Sequence, residues 1–335
     1  MNKKTSSKVD TVRLQNMSRA FIGSASLFAA IDLELFTCVA KGDNTVGKFA
    51  VRAGITEVNA DRLMTMCAAS GLLHWHSDHF ENEEDVQRFL VKGEKSYAAA
   101  WLTFTRPAWD NWGKLTEKLA NPEPATVIGS YETMTVEAAR RYHEATASVG
   151  FGSGRRFAKQ VDLSSATKMM DLGGGSGAYS IVAAQHYPGL KAVVFDLPPV
   201  VEITKEFIAK HRVEEQVSTQ AGDFTRDDFP AECDMAIMAS NLPQYNSQII
   251  GQVIGKAFDA LLPGGEMHLI GEMLDDDRAG PLDAAIWGLY ETMSNSTGMT
   301  HTRADCVAYF RQAGFTNIQV HEFIPGILVR VCGKK

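Results

Sequence analysis

Apolar residues recur every three to four positions from about Thr11 to Ala40: Leu14, Met17, Phe21, Ile22, Ala25, Phe28, Ala29 and Leu33. That period predicts helix. Small residues stand between the large ones in AFIGSASLFAAIDLELF, a pattern suited to close helix–helix packing and to pairing with a second copy of the chain. The polar residues 1–10 before it are expected to fray. The stretches TVGKFAVRAG, ITEVNADRLMTMCAASGLL and HWHSDHFENEE predict a short helix, a turn, a second helix and a β-wing, together a winged helix-turn-helix. Residues 97–120, with Trp101, Phe104, Trp109 and Trp112, predict an amphipathic helix perturbed at Pro107. A loop, NPEPATVIGSYET, is followed by a helix over VEAARRYHEATASVGFGSGRRFAKQ, expected to break near Gly150-Phe151-Gly152.

The period changes at Ala166. Short apolar runs now alternate with helical ones, which predicts α/β architecture around a parallel sheet. Strands are expected at 168–172, 192–196, 217–220, 235–240 and 266–272. NIQVHEF, Pro325-Gly326 and ILVRVCG then read as an antiparallel hairpin. The expected fold is a doubly wound sheet closed by a terminal hairpin, with a mainly helical N-terminal domain. The division is placed at 1–120 and 121–335.

Composition narrows the function. The chain has 335 residues, 45% of them hydrophobic, and a net charge of −7, which argues against a general binder of nucleic acid or anionic membranes. The second helix of the winged segment carries only Arg62 as a base, too little for phosphate and base-edge contacts. Five scattered cysteines without a C-x-x-C pair read as reduced thiols of a cytoplasmic protein. No signal peptide or membrane-spanning run is visible. His74, His76 and His79 crowd the wing, but that spacing equally fits a solvent-facing strand, and no metal site is expected there or at Asp275–Arg278.

The chemistry centres on MMDLGGGSGAYS, residues 169–180: a strand, a glycine-rich turn and a helix. Such a turn lets backbone N–H groups close on a ligand, and the helix N-terminus favours a negative group. Asp196 ends the next strand about 20 residues on, where an acid accepts both hydroxyls of a ribose. Asp223 and Phe224 follow the third strand, positioned for an exocyclic amine and a stacked adenine. Gly173-x-Gly175-x-x-Ala178 also satisfies the dinucleotide pattern. Asp171 before the turn, Asp223-Phe224 after the third strand and the closing hairpin favour S-adenosylmethionine over NAD.

On DLGGGSG, FDLPPVVE, AGDFTRDDFP, ALLPGGEMHLIGEML and YFRQAGF, residues 12–333 resemble the plant-type O-methyltransferase family of class I methyltransferases. The resemblance implies a winged-helix dimerisation domain, a Rossmann-like catalytic domain and a homodimer. It implies an S-adenosylmethionine site formed by Asp171, Gly173, Gly175, Asp196, Leu197, Asp223, Phe224 and Ser240.

One departure bears on the reaction. Where the family has a Leu-His-Asp-Trp type motif with a histidine base, this chain has Ser240-Asn241-Leu242-Pro243-Gln244-Tyr245, with Pro243 in the histidine position. The family's later acid is replaced by Thr300, while Glu272 remains. A hydroxyl acceptor must lose a proton, whereas a thioether has a free lone pair and needs mainly alignment. Pro243, Gln244 and Tyr245 and the overall length resemble the bacterial S-methyltransferases of dimethylsulfoniopropionate synthesis, which methylate 4-methylthio-2-hydroxybutyrate. On that resemblance no residue acts as general base. Tyr142, His143 and Tyr245 position the acceptor, and Tyr131, Tyr142, His143, Trp287 and Tyr290 bind it. Arg140 or Arg141 stand in reserve for its carboxylate. O- or C-methylation of a small aromatic or keto-acid metabolite is the alternative, with His143, Tyr142 or Glu272 as base. A non-catalytic S-adenosylmethionine-binding regulator is the reading from a different class.

Overall fold

The computed structural model describes residues 9–127 and 129–335; the polar start, residues 1–8, and Ile128 of the predicted loop lie outside them. The chain divides into two compact units, one ending at Thr103 and the other spanning Phe104–Lys335. The division precedes the aromatic stretch 104–120, which the sequence placed in the first domain. Trp112 packs on Tyr290, ring centroids 5.8 Å apart, and ties that stretch to the second unit.

In the first unit α1 spans Val12–Asp32 and α2 Leu35–Ala40. The expected single helix breaks at Leu33-Glu34, where Glu34 turns to a φ of 55°. The N–H groups of Leu33 and Glu34 donate to Ala29 O and Ile31 O and close α1. Helix α3 (Val46–Ala53) starts at Thr45 and α4 (Glu57–Ala69) at Thr56; each threonine hydroxyl accepts from a first-turn N–H. Strands β1 (Leu73–Trp75) and β2 (Phe80–Asn82) pair antiparallel as the expected wing. Helices α5 (Glu84–Leu90) and α6 (Ala99–Leu102) complete the unit around buried Leu35, Phe36, Phe49, Met64 and Phe80. Helix α4 presents Glu57 and Asp61 beside Arg62 to solvent, a poor surface for phosphates.

The second unit opens with short pieces, α7 (Trp109–Trp112) and α8 (Leu115–Leu119), instead of one continuous helix. Pro107 sits in a 3₁₀ turn and supplies no N–H for a longer ladder. Helix α9 runs unbroken over Val136–Gln160, against the expected break. Interior glycines cost a helix about 1 kcal/mol each, but here they allow close packing. A Cβ on Gly154 would stand 2.9 Å from Ala178 O, and one on Gly150 3.2 Å from Ala178 Cβ.

The sheet then builds as β3 (Lys168–Leu172), α10 (Ala178–His186), β4 (Lys191–Asp196), α11 (Pro198–His211), β5 (Val217–Ala221) and β6 (Cys233–Ala239). Helix α12 (Ser247–Ala260), β7 (Leu261–Gly271), β8 (Met273–Leu274), α13 (Leu282–Tyr290), β9 (His301–Thr302) and α14 (Arg303–Ala313) lead to the hairpin β10 (Thr316–Ile324) and β11 (Leu328–Lys334). Strand order is β10-β11-β7-β6-β3-β4-β5, parallel except where β11 pairs with β7 and β10. Apolar clusters around Phe195, Leu269 and Phe310 and around Phe157, Ile181 and Ile237 bury the sheet. Strand order reverses beside β3. Ligands of open α/β sheets bind at such a switch point, beyond the carboxyl ends of the strands.

Candidate functional site

One cleft gathers at these strand ends. It is lined by Tyr131, Tyr142, His143, Gly173, Asp196, Leu197, Val200, Gly222, Asp223, Phe224, Asn241, Gln244 and Tyr245. Nine of these carry sequence expectations: three candidates for the acceptor (Tyr131, Tyr142, His143), five for the cofactor (Gly173, Asp196, Leu197, Asp223, Phe224), and Tyr245.

The glycine turn forms a tight cradle. Gly173 and Gly175 have φ of 65° and 57°, open to glycine without strain. A Cβ on Gly173 would stand 2.5 Å from Asn241 Nδ2, and one on Gly175 2.6 Å from His143 Cε1. The Asp196 carboxylate is fixed at the mouth of this turn. It accepts from Gly175 N at 2.8 Å and Leu197 N at 2.7 Å, and burial still lifts it to about 6. Asp171 lies beneath, 1% exposed. Its Oδ2 accepts from Ser180 Oγ at 2.7 Å, while its Oδ1 has no hydrogen-bond partner. Desolvation drives this carboxyl up to about 7.

Asp223 is buried and held locally, its Oδ1 accepting from Thr225 N and Oγ1. Phe224 packs on Tyr245 with ring centroids 4.9 Å apart. Ser240 is not among the residues lining this cleft; its N–H donates to Ile270 O, and its neighbour Asn241 lines the cleft. Asn241 Nδ2 donates to Leu172 O and Gly173 O, tying the end of β6 to the glycine turn. Thr204 on α11 supports the turn from behind by donating to Gly175 O at 2.6 Å. Asn241, Gln244 and Thr204 carry no sequence expectation as site residues. Asn241 and Gln244 stand within the segment that lacks the family's histidine, and that position was the available signal.

Toward the acceptor end the groups are aromatic and acidic. Tyr131 donates its hydroxyl hydrogen to Tyr142, and desolvation lifts both phenols. Phe104 meets Tyr142 at 5.2 Å and Trp287 at 6.3 Å, and Trp287 meets Tyr290 at 5.6 Å, so an aromatic row extends from the cleft. Trp287 and Tyr290 join the site through this row rather than by lining the cleft. Glu272 follows β7 and keeps part of its surface open, yet burial raises it to about 7; its charge acts on Tyr142 and Tyr179. Glu291 is likewise half-buried and raised, and accepts from Ser296 Oγ.

Of the nine histidines, His143 alone lines the cleft. It is 9% exposed, and desolvation lowers it to about 4, so it is neutral at pH 7. His301, next to Thr300, is occupied elsewhere: its two ring nitrogens bond Tyr245 O and Tyr309 Oη, each at 2.9 Å. Pro243 is buried in a 3₁₀ turn. The reserve arginines do not reach the cleft. Arg140 pairs with Glu206 on the surface, its Nη2 2.7 Å from Oε1, and Arg141 is exposed. No lysine or arginine lines the cleft among the described residues.

This donor set fits S-adenosylmethionine. The close glycine cradle leaves room only for a ligand against the backbone, Asp196 faces outward at its mouth, and the unpartnered Asp171 oxygen suits an ammonium group. Comparison with known proteins agrees. A model described as the O-methyltransferase domain matches residues 126–316, and one described as the O-methyltransferase dimerisation domain matches residues 15–92. A 3-hydroxy-5-methyl-1-naphthoate 3-O-methyltransferase from Streptomyces sahachiroi is 29% identical over 327 residues, covering 96% of this chain and 94% of that protein. Human acetylserotonin O-methyltransferase is 27% identical over 322 residues, covering 91% and 92%. The crystal structure of human N-acetylserotonin methyltransferase in complex with S-adenosylmethionine superimposes with a TM-score of 0.81 at 25% identity, over 98% and 99% of the two chains. An O-methyltransferase family protein from Burkholderia thailandensis shares the fold, with a TM-score of 0.83 at 23% identity over 98% and 99%. The chain belongs to the O-methyltransferase family and is a methyltransferase dependent on S-adenosylmethionine.

Proposed function

We propose that the methyl acceptor is the thioether sulfur of a small acid, of the 4-methylthio-2-hydroxybutyrate type. The observation that carries this reading is Pro243 at the family's histidine position, with His143 neutral and His301 occupied elsewhere. When bound, S-adenosylmethionine supplies an electrophilic methyl carbon. A thioether meets it with a lone pair, releases no proton, and becomes a sulfonium. The chain's own residues then align and shield. Tyr142 and Tyr245 wall the cleft, and the aromatic row with Glu291 offers faces and a negative charge to a forming cation. Protonated Glu272, with the Tyr131 and Tyr142 hydroxyls, is left to receive the acceptor's carboxylate.

A second reading is O-methylation. The relatives' names describe transfer to hydroxyl groups, and the comparisons side with it over S-methylation. Glu272 favours it too, because a carboxyl near 7 is poised as a general base. Purified protein incubated with S-adenosylmethionine and either thioether acids or phenols and naphthols, with S-adenosylhomocysteine measured, separates the two. Turnover of phenols without thioethers overturns the first reading. The protein is also proposed to act as a homodimer through the exposed Leu14, Met17, Phe21 and Ile22 of α1. Light scattering of the full chain reads its mass directly.

A further inference from the structure

The wing gathers a set of side chains that methyl transfer does not use. The turn between β1 and β2 is closed by His76 N–H donating to His79 O at 2.8 Å. This stacks the two imidazoles, ring centroids 4.9 Å apart with planes 17° from parallel. Glu81 reaches both from β2: Oε2 lies 2.9 Å from His76 Nε2, and Oε1 lies 3.5 Å from His79 Nε2. One ligand atom from each of the three lies within 4.8 Å of the others. On the far side of His79, Asp78 Oδ1 sits 2.7 Å from Nδ1.

We propose that His76, His79 and Glu81 form a surface site for a borderline divalent transition ion such as Zn²⁺. The spacing suits one. Metal–ligand bonds of about 2.0–2.1 Å set neighbouring ligands of a tetrahedral ion roughly 3.3 Å apart, and the 2.9 and 3.5 Å separations bracket that value. The donor chemistry suits it as well. Two imidazoles and one carboxylate select zinc-like ions over magnesium or calcium, which take oxygen ligands. Asp78 supplies the orienting partner. By accepting from His79 Nδ1–H it leaves the Nε2 lone pair turned toward Glu81, the carboxylate–histidine–metal arrangement. His74 stands opposite Glu81 in register and its ring meets His76 at 4.7 Å, but its ligand atoms fall outside the cluster, so water completes the coordination. The other trio of this kind among the described residues, Glu266, His268 and Cys332, lacks a free imidazole lone pair. Arg330 Nη1 donates to His268 Nδ1 at 3.0 Å, so the ring proton sits on Nε2.

The bound ion would clip together a ribbon only three residues long on each side. The test uses the tag-free full chain, stripped with a chelator and desalted, then titrated calorimetrically with zinc chloride near neutral pH. The expected result is one Zn²⁺ per chain with micromolar affinity, and cobalt substitution giving the intense visible bands of a four-coordinate ion. In the double variant His76→Ala, His79→Ala that stoichiometric binding is lost, while the zinc-free thermal melt stays unchanged because both side chains are partly exposed. Absence of binding by the unaltered chain, or equal stoichiometry and affinity in the double variant, overturns the site and leaves the cluster as ion pairs only.

Discussion

Raising the pH from about 6 to about 8 separates the two acceptor readings by sign, and Glu272 is the group that turns. Burial lifts its carboxyl from 4.5 to about 7. A single site titrating there is about nine-tenths protonated at pH 6 and about one-tenth at pH 8. An acceptor that brings its own carboxylate past the cofactor carboxylates Asp196 and Asp223 meets no lysine or arginine among the described lining residues, but tyrosine hydroxyls and neutral His143, with Glu272 near enough for its charge to act on Tyr142. Two ionised carboxylates in a desolvated space repel strongly, so the protonated form of Glu272 is the one that binds. The kcat/KM for a thioether acid then falls about tenfold across the interval. A hydroxyl acceptor needs the ionised form as base, and its kcat/KM rises about tenfold instead. Asp171 near 7 and Asp196 near 6 titrate on the cofactor side of the cleft, so the assay saturates with S-adenosylmethionine and takes Glu272→Gln as control. With a thioether acid the variant keeps activity and loses the slope. With a phenol it loses about 10²–10⁴ in rate. A wild-type slope that persists unchanged in Glu272→Gln refutes the assignment of the titration to this residue. A rising slope with the thioether acid refutes its role as the carboxylate's partner.

The remaining predictions concern the cradle and stability. Asp196→Ala removes the carboxylate bonded to Gly175 N and Leu197 N and should weaken S-adenosylmethionine binding by more than about tenfold, read by calorimetry; unchanged affinity contradicts the cofactor placement. Gly175→Ala sets a Cβ 2.6 Å from the His143 ring at a φ of 57°, and should cost about 1–3 kcal/mol in a denaturant melt and abolish cofactor binding; a wild-type melt with normal binding contradicts the cradle geometry. The raised Glu272 carboxyl favours the folded state below the unfolded value of 4.5, and that advantage is lost as pH rises through about 7. At about pH 8 Glu272→Gln should therefore be more stable than wild type by up to about 3 kcal/mol, discounted for the part of the side chain left open; equal thermal midpoints at pH 8 would show that the group is not desolvated.

The sheet was legible because its strands are short apolar runs bounded by turns. The first strand falls at residues 168–172 as expected, the next three agree to within two residues at their ends, and β7 starts at Leu261, well before the expected 266. The helices were less so, because backbone conformation at single residues is not written in periodicity. Glu34 adopts a left-handed φ inside an unbroken apolar pattern, and α1 ends there. Gly150 and Gly154 look like breakers but lie where α9 crosses Ala178, so tertiary packing overrides propensity. At the cofactor end the sequence singled out five residues that the fold brings to one cleft: Gly173, Asp196, Leu197, Asp223 and Phe224. A glycine turn, an acid after the second strand and an acid–aromatic pair after the third each have a physical reason to stand at that spacing. Ser240 lies outside the cleft's lining at a φ of 62°, and its neighbour Asn241 holds the turn, a detail of backbone conformation that the sequence does not write.

The acceptor end was legible only through an absence, and an absence says what a site does not do. Pro243 removes one base; the fold then decides what replaces it. His301 lies one residue from Thr300 and would have been a ready candidate from sequence, but Tyr309 and Tyr245 O take both its nitrogens. Arg140 and Arg141 directly precede Tyr142 and stood in reserve as partners for a carboxylate, but helical geometry places them on the outer face of α9 while Tyr142 and His143 line the cleft. What remains is a cleft lined by Asp196 and Asp223 and, among the described residues, by no lysine or arginine, with the Glu272 charge acting on Tyr142 at its edge. Such a site disfavours an anionic acceptor unless one acid stays protonated. The carboxyl raised to about 7 at Glu272 meets that requirement, and it also describes a competent base. One residue therefore serves both readings, and its protonation state during turnover is what the pH profile with each acceptor reads.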